Sequence, residues 1–136
     1  MDSETLPRHR FDVLYDGGYY AAGSTAQEGR RAMIRKAFLM TLKPGHQAEY
    51  ERRHNPIWPE LQAALSEHGV RNYSIFLDRT SDRLFAYAEI EEEALWARLA
   101  DTDVCRRWWA FMKDLMLTND DDSPVAVDLD PVFHID

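Results

Sequence analysis

NYSIFLDRTSDRLFAYAEI, residues 72–90, reads as a β-hairpin. Tyr73, Ile75 and Leu77 alternate with Ser74 and Phe76. After the polar run Asp78-Arg79-Thr80-Ser81-Asp82, residues 84–90 answer with Leu84, Ala86, Ala88 and Ile90 on one face and Phe85 and Tyr87 on the other. A period of two is the strand signature, and five polar residues make a hairpin loop. Upstream, Ile34, Phe38, Met40 and Leu42 alternate with Arg35, Ala37, Leu39 and Thr41, a buried strand with two largely apolar faces. Pro44-Gly45 is a turn. Residues 46–54 have helical composition and end at Asn55-Pro56, because a proline disfavours a helical residue before it. Pro59 opens a second helix to Glu67, with Leu61, Ala64 and Leu65 as its apolar stripe and His68-Gly69 as its stop. Downstream, Glu91-Glu92-Glu93 places negative charge where a helix starts, and Leu95, Trp96 and Leu99 form its apolar face. Asp101-Thr102-Asp103 caps a further helix, read as residues 104–117. Its stripes are Val104, Trp108, Phe111, Leu115 and Cys105, Trp109, Met112, Met116. An acidic loop at 118–124 leads to an extended stretch at 125–127 and a last strand at 132–135.

This order is the β-α-β-β-α-β arrangement of the ferredoxin-like fold, an α+β protein whose antiparallel sheet carries helices on one face only. Strands apolar on both sides leave the second sheet face in need of a cover. That cover is either a cavity with ligand or a second subunit, and a homodimer packed sheet to sheet is the economical answer.

The 136 residues fit one domain, and 45% hydrophobic with 29% charged residues is ordinary for a globular protein. Sixteen Lys+Arg against 24 Asp+Glu give a net charge of −8, a poor match for nucleic acid or an anionic membrane surface. A local arginine cluster can still oppose that charge toward an anionic substrate. No apolar run approaches a membrane span. The single cysteine, Cys105, excludes an intramolecular disulfide and a two-cysteine zinc site and suits a reducing cytoplasm, the expected location. The N-terminus lacks the basic-then-apolar order of a signal peptide. Residues 1–32 hold four of the six glycines and show no sustained period, so they read as a loose extension ahead of a single domain over 33–136. Met33 opens the patterned chain. The extension is then either a non-native or misassigned start, or an arm that packs on a partner subunit.

Tyr50 and His54 stand four residues apart on one helix face. Histidine titrates nearest neutrality, so it can both give and take a proton. The pair alone is a weak signal, because most histidines so placed are solvated or hydrogen-bonded structurally. Trp108 and Trp109 point about 100° apart on a helix, so both cannot face one narrow core stripe. With Trp58, Trp96, Tyr73 and Phe111 they make the chain rich in aromatics. Such residues at helical spacing build core as a rule, but an aromatic wall with a few polar groups also suits a sugar. His46, His54 and His68 form no metal-site pattern, and no metal is expected. Cys105 has Arg106 and Arg107 beside it, yet reads as a small buried helix residue. Asp120-Asp121-Asp122 lacks the glycine and distal glutamate of an EF-hand and reads as a solvated loop. There is no phosphate-binding glycine loop and no GxSxG.

Longer runs carry more information than any of these. Met33-Ile-Arg-Lys-Ala-Phe38, Tyr50-Glu-Arg-Arg-His54-Asn-Pro-Ile-Trp-Pro-Glu-Leu61, Asn72-Tyr73 with Leu77-Asp78, Thr102-Asp103-Val-Cys-Arg-Arg-Trp-Trp109 and residues 119–125 resemble the L-rhamnose mutarotase family. The likeness spans Met33 to about Phe133 in order, with essentially no gap. It implies a ferredoxin-like dimeric α/β-barrel fold and interconversion of the α and β anomers of L-rhamnose by a homodimer with no metal or organic cofactor. It places the family's proton donor on His54 and its sugar contacts on Tyr50, Tyr73, Trp108 and Trp109. It also favours a misassigned or non-native start over an arm for residues 1–32, which lie outside the family's extent. Two other readings stay open for the same fold: a dimeric α/β-barrel monooxygenase or haem-handling protein, and a non-catalytic sugar-binding module.

Overall fold

In a computed structural model the described residues are 32–136, so the reading of residues 1–32 falls almost wholly outside them. Ile34–Leu129 forms one compact unit. Its elements are β1 (Ile34–Thr41), α1 (Gln47–Arg53), α2 (Pro59–Glu67), β2 (Val70–Asp78), β3 (Arg83–Ile90), α3 (Glu93–Leu99), α4 (Asp103–Met112) and β4 (Val127–Leu129). The strands form one antiparallel sheet in the order β2-β3-β1-β4. This is the α+β, ferredoxin-like arrangement expected from the hairpin outward.

Alternation divides the sheet as the sequence predicts. Phe38, Met40, Leu84 and Ala86 are buried together with Tyr50, Leu61, Trp108 and Met112 from the helices, which makes the core a sheet-on-helix layer. The other face carries Leu39 opposite Phe85 and Val127, and Phe76 opposite Phe85. Phe76 is 66% exposed and Val127 58%. Gly69 ends α2 at a φ of 78°, and a side chain there would meet Glu91 at 2.9 Å, so the turn into β2 needs glycine on both counts.

Two boundaries depart from the sequence reading. The helix expected over 104–117 stops at Met112. Beyond it the backbone leaves the helix to pair with the end of β1: the Lys43 amide donates to the Leu115 carbonyl, and the Leu117 amide to the Thr41 carbonyl, at 2.8 and 3.0 Å. The tertiary hydrogen bonds override a helical pattern that continued in the sequence. The buried stripe of α4 is correspondingly Cys105, Trp108 and Met112, and Phe111 is 41% exposed. The last strand is Val127–Leu129, not 132–135. Val127 and Leu129 fall in register with Leu39 and Ala37. Pro131 follows two positions after the strand's end and has no amide hydrogen to donate to a ladder. Val132, Phe133 and Ile135 are exposed and non-strand.

Candidate active site

A cleft of about 1010 Å³ lies between the helices and the inner face of the sheet, and Tyr50, His54, Tyr73, Trp108 and Trp109 all line it. Pockets of roughly 300–1,000 Å³ are the usual size for small-molecule sites. The structure therefore brings together every site residue singled out in the sequence, from α1, β2 and α4.

Helix α1 delivers Tyr50 and His54. Gln47, Tyr50, Glu51 and His54 all line the cleft, at the i, i+3, i+4, i+7 spacing of one helix face. His54 caps the end of α1. Its ring lies 4.4 Å from that of Tyr50 and meets Trp108 edge-on at 5.2 Å. His54 Nδ1 is 2.9 Å from the Tyr50 carbonyl oxygen. A carbonyl only accepts, so Nδ1 carries the hydrogen and Nε2 is left as the nitrogen that titrates. Burial among the aromatic rings lowers the His54 pKa below its ordinary 6.5, and the Tyr50 carbonyl opposes this only in part. The resting form at neutral pH is a neutral imidazole with a lone pair on Nε2.

The two tyrosines are held in the opposite sense. Burial raises the Tyr50 phenol far above its usual range and pushes Tyr73 up to about 12, and the neighbouring Tyr73 adds to the shift at Tyr50. Both stay protonated near neutrality. They can donate hydrogen bonds to hydroxyl or carbonyl oxygens, and neither is an anionic base. Tyr73 keeps 37% of its surface open and touches Phe38 and Trp96 at centroid distances of 6.5 and 6.4 Å.

The adjacent tryptophans separate as helical geometry requires. Trp108 is buried, with Trp58 edge-on at 5.0 Å, while Trp109 is half-buried and packs on the core margin. Cys105 is buried, and burial pushes its thiol up to about 11 despite Arg106, so it stays an inert thiol at neutral pH. Among the described residues no group of three or more His, Cys, Asp or Glu is placed to hold a metal ion.

Three features of the site were given no role there by the sequence. Trp58 supports Trp108. Arg53, beside His54, crosses to α4: its Nη1 donates to the Phe111 carbonyl at 2.6 Å and to Asp114 at 3.0 Å, while its Nε pairs with Glu49 at 2.7 Å. This ties the histidine's helix end to the tryptophans' helix. At the rim, Arg79 of the hairpin turn stands 3.7 Å from Glu51, and the Gln47 amide donates to Asp82 at 2.8 Å. The helical spacing of Gln47 and Glu51 with Tyr50 and His54 was the available signal for the rim. Nothing local in the sequence marks Phe111 and Asp114 as partners of Arg53, since they lie some sixty positions away.

Comparison with known proteins agrees with this picture. The sequence pattern of the L-rhamnose mutarotase family matches residues 35–135. An L-rhamnose mutarotase from Oceanobacillus iheyensis is 55% identical over 104 residues, covering 76% of this chain and 100% of its own. The crystal structure of an L-rhamnose mutarotase from Formosa agariphila superposes with a TM-score of 0.70 at 39% identity, covering 76% of this chain and 99% of that one. A candidate antibiotic biosynthesis monooxygenase from Nitrosomonas europaea reaches a TM-score of 0.53 at 13% identity, covering 74% and 91%, a likeness of fold alone. On the family match and the 55% identity together, the chain belongs to the L-rhamnose mutarotase family of isomerases.

Proposed function

We propose that the cleft exchanges the α and β anomers of L-rhamnose, with His54 as its acid/base group and Tyr50, Tyr73, Trp108 and Trp109 as its sugar contacts. The observation that carries this reading is the fixed tautomer of His54: one ring nitrogen is bound to a backbone carbonyl, and the other is free to titrate inside an aromatic-walled cleft. Anomer exchange needs a proton taken from the anomeric hydroxyl O1 and a proton given to the ring oxygen O5. Both oxygens are bonded to C1, so one nitrogen can serve both. Neutral Nε2 accepts the O1 proton, the C1–O5 bond breaks as O5 receives that proton from the imidazolium, and O1 becomes the carbonyl oxygen. Rotation about C1–C2 presents the other aldehyde face, and the same transfers in reverse close the ring. Protons and electrons balance, and no co-reactant is consumed. The phenols of Tyr50 and Tyr73 donate hydrogen bonds to the sugar. The tryptophans face its C–H surfaces and its C6 methyl.

The test is anomer exchange of L-rhamnose at equilibrium, read by saturation transfer between the anomeric protons. His54→Ala should remain folded and lose about 10²–10⁴-fold in rate. Parent-like exchange in that variant would remove His54 from the mechanism. L-Rhamnose binding without acceleration in the parent protein would favour the sugar-binding module instead.

The working unit is a homodimer in the cytoplasm, formed by the open sheet face. Phe76, Phe85 and Val127 contribute an exposed apolar surface there, as the two-faced strands require. In that assembly the catalytic clefts lie on the side of each sheet away from the interface.

A further inference from the structure

Strand β2 is irregular at the point where it meets the cleft. Arg71 pairs with Glu89 and Ser74 with Tyr87, so Asn72 and Tyr73 together oppose Ala88. One extra residue in one strand is a β-bulge. Its effect here is on phase. Val70 is buried and pairs with Ile90 on the inner face. In an uninterrupted strand Asn72 would then point inward and Tyr73 outward. The extra residue reverses the alternation, so Ile75 and Leu77 pack on the inner core and Tyr73 turns to Phe38 and Trp96 beside the cleft.

Asn72 absorbs the extra residue at a φ of 50°, a region closed to most side chains and tolerated by asparagine. Its side-chain amide donates to Glu89 Oε2 at 3.0 Å, and the Tyr87 hydroxyl donates to the same oxygen at 2.8 Å. Glu89 and Tyr87 are two apart on β3, on the face opposite the cleft, and neither lines it.

We propose that Asn72 and Glu89 are positioning residues: their hydrogen bond, made on the outer face of the sheet, locks the bulge that turns Tyr73 into the sugar site. Glu89, which does not line the cleft, acts through Tyr73, and Asn72 borders the cleft next to the tyrosine that it holds. That Tyr73 then meets the sugar rests on its proposed role as a sugar contact.

Two readouts separate the lock from that role. Nuclear Overhauser effects between the ring of Tyr73 and those of Phe38 and Trp96 report its placement independently of catalysis. KM and kcat for L-rhamnose exchange report its use. Glu89→Ala and Asn72→Val should both weaken the Tyr73 Overhauser effects and raise KM about tenfold, with kcat changed by less than about twofold. Glu89→Gln, which keeps an acceptor oxygen, should restore both readouts. In a Tyr73→Ala background, Glu89→Ala should raise KM no further. Overhauser effects at Tyr73 unchanged in a folded Glu89→Ala protein would overturn the proposal, and so would an undiminished KM effect in the Tyr73→Ala background. Weakened Overhauser effects with an unchanged KM would support the lock and refute Tyr73 as a sugar contact. Glu89 is half-buried on the sheet face that the proposed dimer uses, so its variants are compared at the parent's assembly state, checked by light scattering, and they keep the test open even where Asn72→Val does not fold.

Discussion

Removing Trp108 should cost stability first and catalysis second, and Trp109 should show the reverse order. Trp108 is only 9% exposed and has His54, Trp58 and Phe111 against its ring at 5.2, 5.0 and 5.7 Å. Truncating a fully packed tryptophan to alanine costs about 3–5 kcal/mol, which combines the loss of burial with the cavity left behind. Domains of this size are stable by roughly 5–15 kcal/mol, so Trp108→Ala should lose about a fifth or more of that and melt at least about 12 °C lower. The cavity also admits water to His54. Burial is the main cause of that histidine's lowered pKa, so the pKa should move back toward 6.5 in Trp108→Ala. Trp109 is half-buried and faces the cleft. Its truncation should cost roughly 1–2 kcal/mol and appear mainly as a raised KM for L-rhamnose. Thermal melting by circular dichroism gives the first comparison, imidazole titration by NMR the second and anomer exchange the third. A Trp108→Ala protein melting within about 4 °C of the parent, or Trp109→Ala proving the more destabilised, would refute this division of the two rings.

Exchange should hold a plateau at neutral pH and fall as the solution is acidified, with a midpoint below 6.5, because Nε2 must be unprotonated to accept the anomeric proton; a midpoint at or above 6.5 would contradict the assigned resting form. The same lowered pKa makes His54 a source of acid instability. The unfolded chain protonates first, so this contribution is complete above about pH 6.5 and declines as pH falls through the interval between the unfolded and folded pKa values. Phe85→Glu should convert the proposed dimer to monomer in light scattering while leaving the monomer folded, since Phe85 is 40% exposed on the outer sheet face; a dimer that persists would move the interface elsewhere. Removing residues 1–32 should leave the exchange rate and the assembly state as in the full chain; loss of either would make the extension a working arm.

Much of the site was legible because helices and strands write their faces into the sequence at fixed periods. Gln47, Tyr50, Glu51 and His54 share a face at any helix position, and Trp108 and Trp109 diverge on any helix. The period-two pattern around the hairpin marked Tyr73, Ile75 and Leu77 as one face, and that is the face the cleft occupies. The pattern held no sign that this phase depends on a bulge, because alternation read from 73 onward looks regular by itself. Only the pairing of Val70 with Ile90, across the sheet, exposes the extra residue. The end of α4 was misread for a related reason. Residues 113–117 continue a helical pattern, but the amides and carbonyls of Thr41, Lys43, Leu115 and Leu117 satisfy one another across the fold.

The sequence alone therefore determined the order of elements, the side of each that faces the core, and the cluster of residue types able to handle a sugar and a proton. Those depend on local periodicity and on side-chain chemistry, which travel with the chain. Tertiary structure decided which tautomer His54 adopts, how far burial shifts the groups around it, which tryptophan is core and which is wall, and where strands and helices stop. Each of these depends on a partner distant in sequence or on the exclusion of water, and neither exists until the chain has packed.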